Sequence, residues 1–516
     1  MRKLTLALCA LALAGCGGSD AFTEGTGTSE LTGSDAFLAL MKEAREASED
    51  GDFADTGRLL DEARAIEPEN PGVWVAIARL RFRGGEHIKA LDAAQYAFEL
   101  GPTYAPAVLL RAQLVRDAHG LTDSLPWFEA AVEADPNNTE ILGEYAATLG
   151  DAGYYAQMLE VTRALTDIAP EDPRALFLKA ALAARGGKPV LAKSLIERSG
   201  LVEEGVPSAL MLDALIDLSE RSYDSAAETL EALAQKQPGN GRVAELLARA
   251  LWLGGRDDEL VGRFAEAARR EDASPYLIML VGRALERSGD RSGAAPYLER
   301  ALQGRPGGWV ALSPNANLPD ATATMRRHIA AQRLRQARRE AARLQRRFAG
   351  SSDVAALSGD AALASGDFDG ALKLYRKAAQ VRRPWPLTRK AVAAYRDFGD
   401  PLAADVLLAR HLVSEPRNTE ALLLYAERAA RAQDWLRVEV LLDNAIELGA
   451  GNDPRLLKLR GIAARAQGKD AEAREFERMT WDLHPVSFHR GKPRHLMRRR
   501  AGRAACLRVL NPWLIR

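Results

Sequence analysis

The sequence predicts an all-α protein, an α-solenoid of about thirteen helical hairpins set in two arrays. Three observations predict it. Pro68, Pro102, Pro136 and Pro170 recur at intervals of 34 residues. Between them lie paired stretches of helical periodicity split by glycine, as in "PGVWVAIARLRFRGGEHIKALDAAQYAFELGP" from Pro71 to Pro102. Only 6% of the 516 residues are aromatic and 27% are charged, a composition that suits many amphipathic helices better than one large core.

Arg2 and Lys3 precede an apolar run from Leu4 to Leu13, too short to span a bilayer as a permanent helix, so residues 1–15 read as a signal peptide. Leu13-Ala14-Gly15-Cys16 resembles the bacterial lipobox, which implies diacylation of the Cys16 thiol and cleavage before it. With a further acyl chain on the new N-terminus, and about 0.8 kcal/mol per buried methylene, such an anchor is effectively permanent. Gly17 stands where an aspartate would resemble an inner-membrane retention signal, so the resemblance favours the periplasmic face of the outer membrane. Residues 16–34, rich in glycine, serine and threonine, read as a lipidated flexible tether. Of three cysteines, only Cys506 would remain as a free thiol, so packing and not disulfides must hold the mature chain together.

From residue 35 the helical pattern begins. In each unit a small residue recurs in the first helix, among them Ala78, Ala112, Ala146, Gly282, Gly359 and Gly461. A glycine marks the turn at 51, 85, 120, 153, 187, 255, 289, 366, 399 and 468, and an alanine recurs in the second helix, for example Ala90, Ala226, Ala294 and Ala371. Arg221, Gln332 and Gln433 stand in place of the turn glycine, while Glu204, Asp272 and Ala450 stand in place of the closing proline. These residues and this period resemble the tetratricopeptide repeat, which implies a right-handed superhelix of hairpins, each covering its neighbour's apolar face.

The register places an N-terminal array at 35–306 and a C-terminal array at 320–485. Between them, residues 307–319 are neither helical nor periodic and form a linker, read as a surface loop or, more sharply, as a hinge or binding loop carrying Trp309. Net charge is zero, with 70 basic and 70 acidic residues, yet Met325 to Arg347 holds nine arginines against Glu340, and residues 486–516 form a basic tail. The arginine-rich stretch keeps Ile329, Leu334, Ala337, Ala341 and Leu344 at helical spacing, so it reads as a repeat with a basic outer face. The tail reads as an amphipathic segment on anionic lipid or polysaccharide, or as disordered chain.

No catalytic constellation emerges. The seven histidines form no HExxH pair, no metal cluster is apparent, and the paired glycines are repeat turns with no lysine-serine pair after them, so neither an enzyme nor a cofactor is expected. In tetratricopeptide arrays first helices line a partner-binding groove. The resemblance therefore implies that Arg79, Phe82, Phe177, Met211, Arg249, Trp252, Met279 and Arg283 line it here, with packing between adjacent helices as the alternative for Trp252 and Met279. Asparagines and lysines of the carboxylate-clamp type are not arranged on these helices. The expected function is a protein-protein interaction scaffold of the cell envelope, in assembly or exopolysaccharide export. The alternative is a glycan-binding or enzymatic subunit of a polysaccharide system. The anchor argues against nucleic acid as a partner.

Overall fold

The computed structural model describes residues 31–482 apart from 239, 271–272, 304–318, 398 and 452. The signal peptide, Cys16, Trp309 and the basic tail lie outside the described residues. Among the described residues there are 26 α-helices in thirteen consecutive pairs and no strand. The first eight pairs are α1 (Asp35–Glu49) with α2 (Phe53–Ile66), α3 (Pro71–Arg83) with α4 (His87–Leu100), α5 (Ala105–His119) with α6 (Leu121–Ala134), α7 (Thr139–Ala152) with α8 (Tyr155–Ile168), α9 (Pro173–Arg185) with α10 (Pro189–Arg198), α11 (Pro207–Glu220) with α12 (Tyr223–Lys236), α13 (Gly241–Leu253) with α14 (Asp257–Arg269), and α15 (Pro275–Arg287) with α16 (Arg291–Gln303). Five more follow: α17 (Pro319–Ala330) with α18 (Leu334–Arg347), α19 (Ser352–Ala364) with α20 (Phe368–Ala379), α21 (Trp385–Asp397) with α22 (Pro401–Ser414), α23 (Thr419–Arg431) with α24 (Trp435–Ala445), and α25 (Pro454–Ala466) with α26 (Asp470–Asp482).

The repeated phrase "GDF" explains the turn. Gly366 adopts φ +76°, a conformation that side chains resist, and Asp367 then caps α20 by accepting from the Gly370 N–H at 3.0 Å. First helices are capped in the same rhythm. Asn70, Asn138, Asp172, Asn240 and Ser274, spaced at 34 or 68 residues, each accept a backbone N–H from the first turn that follows. All ten turn glycines have positive φ. The only non-glycine residues to share it, among those described, are Arg221, Gln332 and Gln433 at 66°, 54° and 58°. The register read from the sequence thus extends through all three substituted turns.

The small residues mark where helices approach. Ala78, Ala112, Ala146 and Ala426 are buried on first helices, and Ala90, Ala226, Ala371 and Ala473 are buried on second helices. Two connections that lack the closing proline are irregular. The chain after α10 passes through Gly200 and Gly205, both at positive φ, and α24 runs on into a π-helical turn, Ile446–Ala450, with Gly449 at φ 101°. Without proline to end the helix, a left-handed glycine does so.

Residues 31–34, assigned by composition to the tether, are instead held by the fold. The Ser34 N–H donates to Glu67 at 2.7 Å, Asn70 donates to the Thr32 carbonyl at 2.8 Å, and Leu31 packs against the first core.

Spatially, the described chain forms two compact units that cut across sequence order. One comprises residues 31–182 and 319–416, the other 183–303 and 417–482. In the first unit, Val381 is fully buried within a core otherwise drawn from Phe37 to Leu114, including Leu60, Val73, Ile77 and Leu110. In the second, Leu212, Leu230, Leu247, Val281 and Leu298 are among the buried residues of α11 to α16.

Candidate functional site

The residues expected in the groove fall into three groups. Phe82, Phe177, Met211 and Met279 are buried, a placement that suits core packing. Met211 and Met279 belong to the packed interior of α11 to α16. Phe82 lies under the Arg382 guanidinium, 4.7 Å from its ring centre, and 4.9 Å from the His87 ring. The physical reason is shared: a first helix contacts its own partner and both neighbouring hairpins, which leaves little apolar surface for a ligand.

Arg79 forms the second group. It is mostly buried and pairs with Glu140 of α7 at 3.6 Å, bridging two first helices that are two hairpins apart. Arg116 on α5 makes the analogous link, pairing with Glu144 at 2.8 Å and donating to Thr148 at 2.9 Å. These arginines knit the first helices of the first unit together.

The third group remains at the surface. Arg249, Trp252 and Arg283 are part-exposed on α13 and α15 of the second unit. Arg249 and Arg283 follow the small residues Ala248 and Gly282 and sit exactly one 34-residue period apart, on helices that contact one another. Trp252 packs at the edge of the core beneath Arg287, whose guanidinium lies 5.3 Å from the indole centre and donates to the Trp252 carbonyl at 2.6 Å. Burial lowers the Arg283 pKa, with Glu286 opposing, so part of its solvation has been stripped. A helix surface that presents a part-exposed tryptophan and part-exposed arginines can hold a polar or acidic partner surface.

The first unit carries a polar seam that sequence reasoning missed. His87 Nδ1 accepts from the Ser352 N–H at 3.0 Å, and the Ile88 N–H donates to the Gly350 carbonyl. Arg382 pairs with Asp117 at 3.1 Å, and Arg383 donates to the Asp117 and His119 carbonyls at 2.9 and 2.7 Å. Trp385 stacks on His411 at 4.9 Å, and the Cβ position at Gly120 meets Ser414. The start of α4 and the end of α5 thereby join the second stretch of the chain, 319–416. Burial lowers the pKa of His87, with Asp353 opposing, in keeping with a nitrogen that must stay unprotonated to accept. No local pattern pairs the two sides of this seam, because its partners lie far apart in sequence. The one available signal was histidine on apolar helix faces, at 87 and 411.

The arginine-rich stretch forms α17 and α18. Ile329, Ala337, Ala341 and Leu344 are buried, Leu334 is half-buried, and Arg333, Arg335, Arg338, Arg339, Arg343, Arg346 and Arg347 are exposed, the basic outer face expected. Among the described residues no group of three or more His, Cys, Asp or Glu could hold a metal, and no helix is long and apolar enough to cross a membrane.

No curated protein matches the chain. Solved structures do. A tetratricopeptide repeat protein from Parabacteroides merdae is 16% identical, covering 52% of this chain and 93% of its own, with a TM-score of 0.28. PilF of Pseudomonas aeruginosa is 19% identical over 46% of this chain and 93% of its own, with a TM-score of 0.31. The Cut9-Hcn1 hetero-tetramer structure is 12% identical over 88% of this chain and 94% of that one, with a TM-score of 0.33. The fold described above rests on the chain's own hairpins. Residues 323–386, from the arginine-rich hairpin to the start of α21, match the tetratricopeptide repeat family model, and hairpins with the same left-handed turn and buried small residues recur through the rest of the described chain.

Proposed function

We propose that this chain is a non-enzymatic protein-binding scaffold, held by lipid at Cys16 on the periplasmic face of an outer membrane, where it supports an envelope assembly or exopolysaccharide export complex. The observation that carries the binding role is the Arg249, Trp252 and Arg283 surface. Arg249 and Arg283 stand at repeat-equivalent places on adjacent first helices, and part-exposed Trp252 lies three residues after Arg249. The anchor is supported by the order of basic start, apolar run and Leu13-Ala14-Gly15-Cys16.

Two experiments test it. Affinity capture from solubilised membranes is repeated with Arg249→Glu and Arg283→Glu together, and the expected result is loss of one or more captured proteins. An unchanged set removes the groove as the binding surface. Metabolic labelling with palmitate is expected to mark the full chain and not Cys16→Ala, and equal labelling of both removes the anchor.

A further inference from the structure

Second helices in this fold turn one face to the core and the other to solvent. On α20 the outer face is polar, with Asp369, Lys373, Arg376 and Lys377 exposed. On α22 it is not. Ala404, Leu408 and His411 face the core, while Leu402, Val406 and Val413 stand 72%, 60% and 70% exposed, with Ala409 half-buried between them. The spacing 402, 406, 409, 413 runs four, three, four, the seam of a coiled coil. In heptad terms Val406 and Val413 are at a, and Leu402 and Ala409 are at d. β-branched residues at a with leucine at d are the pattern that favours two parallel strands.

The flanking charges agree. Asp405 falls at g and Arg410 at the following e, five residues on. In a parallel pair, g of one helix meets e of the next heptad on the other, so Asp405 of each copy meets Arg410 of its partner, twice by symmetry. An antiparallel pair would set like positions together, acid against acid and base against base. A membrane-lying helix would carry basic residues on both flanks, and this one carries an acid on one side. Two heptads are short for an isolated coiled coil, but α22 is already folded by its own hairpin, so the nucleation cost of a free helix does not arise.

We infer that α22 is a homodimerisation helix, pairing in parallel with α22 of a second copy about a two-fold axis, through Leu402, Val406, Ala409 and Val413 and paired Asp405–Arg410 contacts. The test is sedimentation of the full chain in detergent over the micromolar range. A dimer is expected, and Val406→Glu, an outward position, is expected to give monomer with unchanged helix content. Asp405→Arg or Arg410→Asp alone should weaken the dimer about tenfold, and the two together should restore it. Val406→Cys should crosslink to itself under mild oxidation above the background of the unaltered chain. A monomer at every concentration, a dimer indifferent to Val406→Glu, or, when Val406→Cys and Ala409→Cys proteins are mixed, crosslinking of 406 to 409 in place of 406 to 406 overturns the assignment.

Discussion

Lys390 and Asp360 are each 3% exposed and lie 2.7 Å apart, joining α21 to α19 inside the first unit. The second Asp360 oxygen accepts from the Tyr375 hydroxyl at 2.8 Å, so both oxygens are engaged. Burial lowers the Lys390 pKa and Asp360 opposes that shift. Removing one partner strands the other, so Lys390→Met is expected to cost about 3–5 kcal/mol. The double change Lys390→Met with Asp360→Leu should recover much of it, because a well-packed apolar pair often replaces a buried ion pair at little cost. Denaturant unfolding of the three proteins checks this. A single variant as stable as the parent would show that the pair contributes nothing.

Gly359 lies directly beneath the Tyr375 ring. A Cβ there would come within 2.5 Å of ring carbon, and that ring is fixed by its bond to Asp360. Gly359→Ala is therefore expected to destabilise by about 1–3 kcal/mol through overpacking, despite alanine's better helix propensity. Thermal unfolding decides the sign, and a stabilised variant would mean that the helices can separate freely.

The turns allow backbone strain to be measured without packing. Nothing lies within 4 Å of a Cβ built at Gly366, so Gly366→Ala should cost about 1 kcal/mol from its positive φ alone. Gln433→Gly, at a turn already left-handed, should return about 0.5–1 kcal/mol. Opposite shifts in unfolding midpoint are expected, and shifts of the same sign would exclude strain as the cause.

Two groups near the seam respond to acid in opposite directions. Burial pushes His411 down to about 4, with Arg383 acting the same way. Burial pushes Glu415 up to about 7, against the Leu121 N–H, Arg383 and Arg116. As pH falls from 6.5 to 4 the unfolded chain protonates His411 before the folded one does, so that contribution to stability is lost. Glu415 behaves conversely: its contribution is complete below 4.5 and lost as pH rises to 7. The parent should therefore show a flattened response between 4.5 and 6.5. Glu415→Gln should lose stability on acidification, and His411→Asn should gain it, each by on the order of 2–3 kcal/mol at about 1.4 kcal/mol per unit. Thermal midpoints across pH 4 to 8 report this, and parallel curves for all three proteins would refute it.

How much of this was legible follows from what local pattern can encode. Hairpin number, turn positions and the tight helix contacts came through because each depends on residues inside one 34-residue period. Even Arg221, Gln332 and Gln433 were placed in left-handed turns by register alone. The burial of Phe82, Phe177, Met211 and Met279 was not legible, because they carry the same apolar signal whether they face a ligand or a neighbouring helix. Asp360 could have been noticed as the one acid deep in the apolar run of α19. The seam offered only its histidines as a signal and nothing to name their partners, since 265 residues separate His87 from Ser352.

That separation governs the order in which the molecule can be built. A simple repeat array can settle hairpin by hairpin behind its leading end. Here, however the chain is delivered, the rim around His87 and Asp117 arrives first and waits for Ser352 and Arg382; at roughly 5–20 residues per second, tens of seconds pass before they are made. Until then the cavity that Val381 fills stands open. A fragment cut off before residue 319 would carry that vacancy permanently, and a chaperone or protease that reads exposed apolar surface could distinguish it from the finished protein.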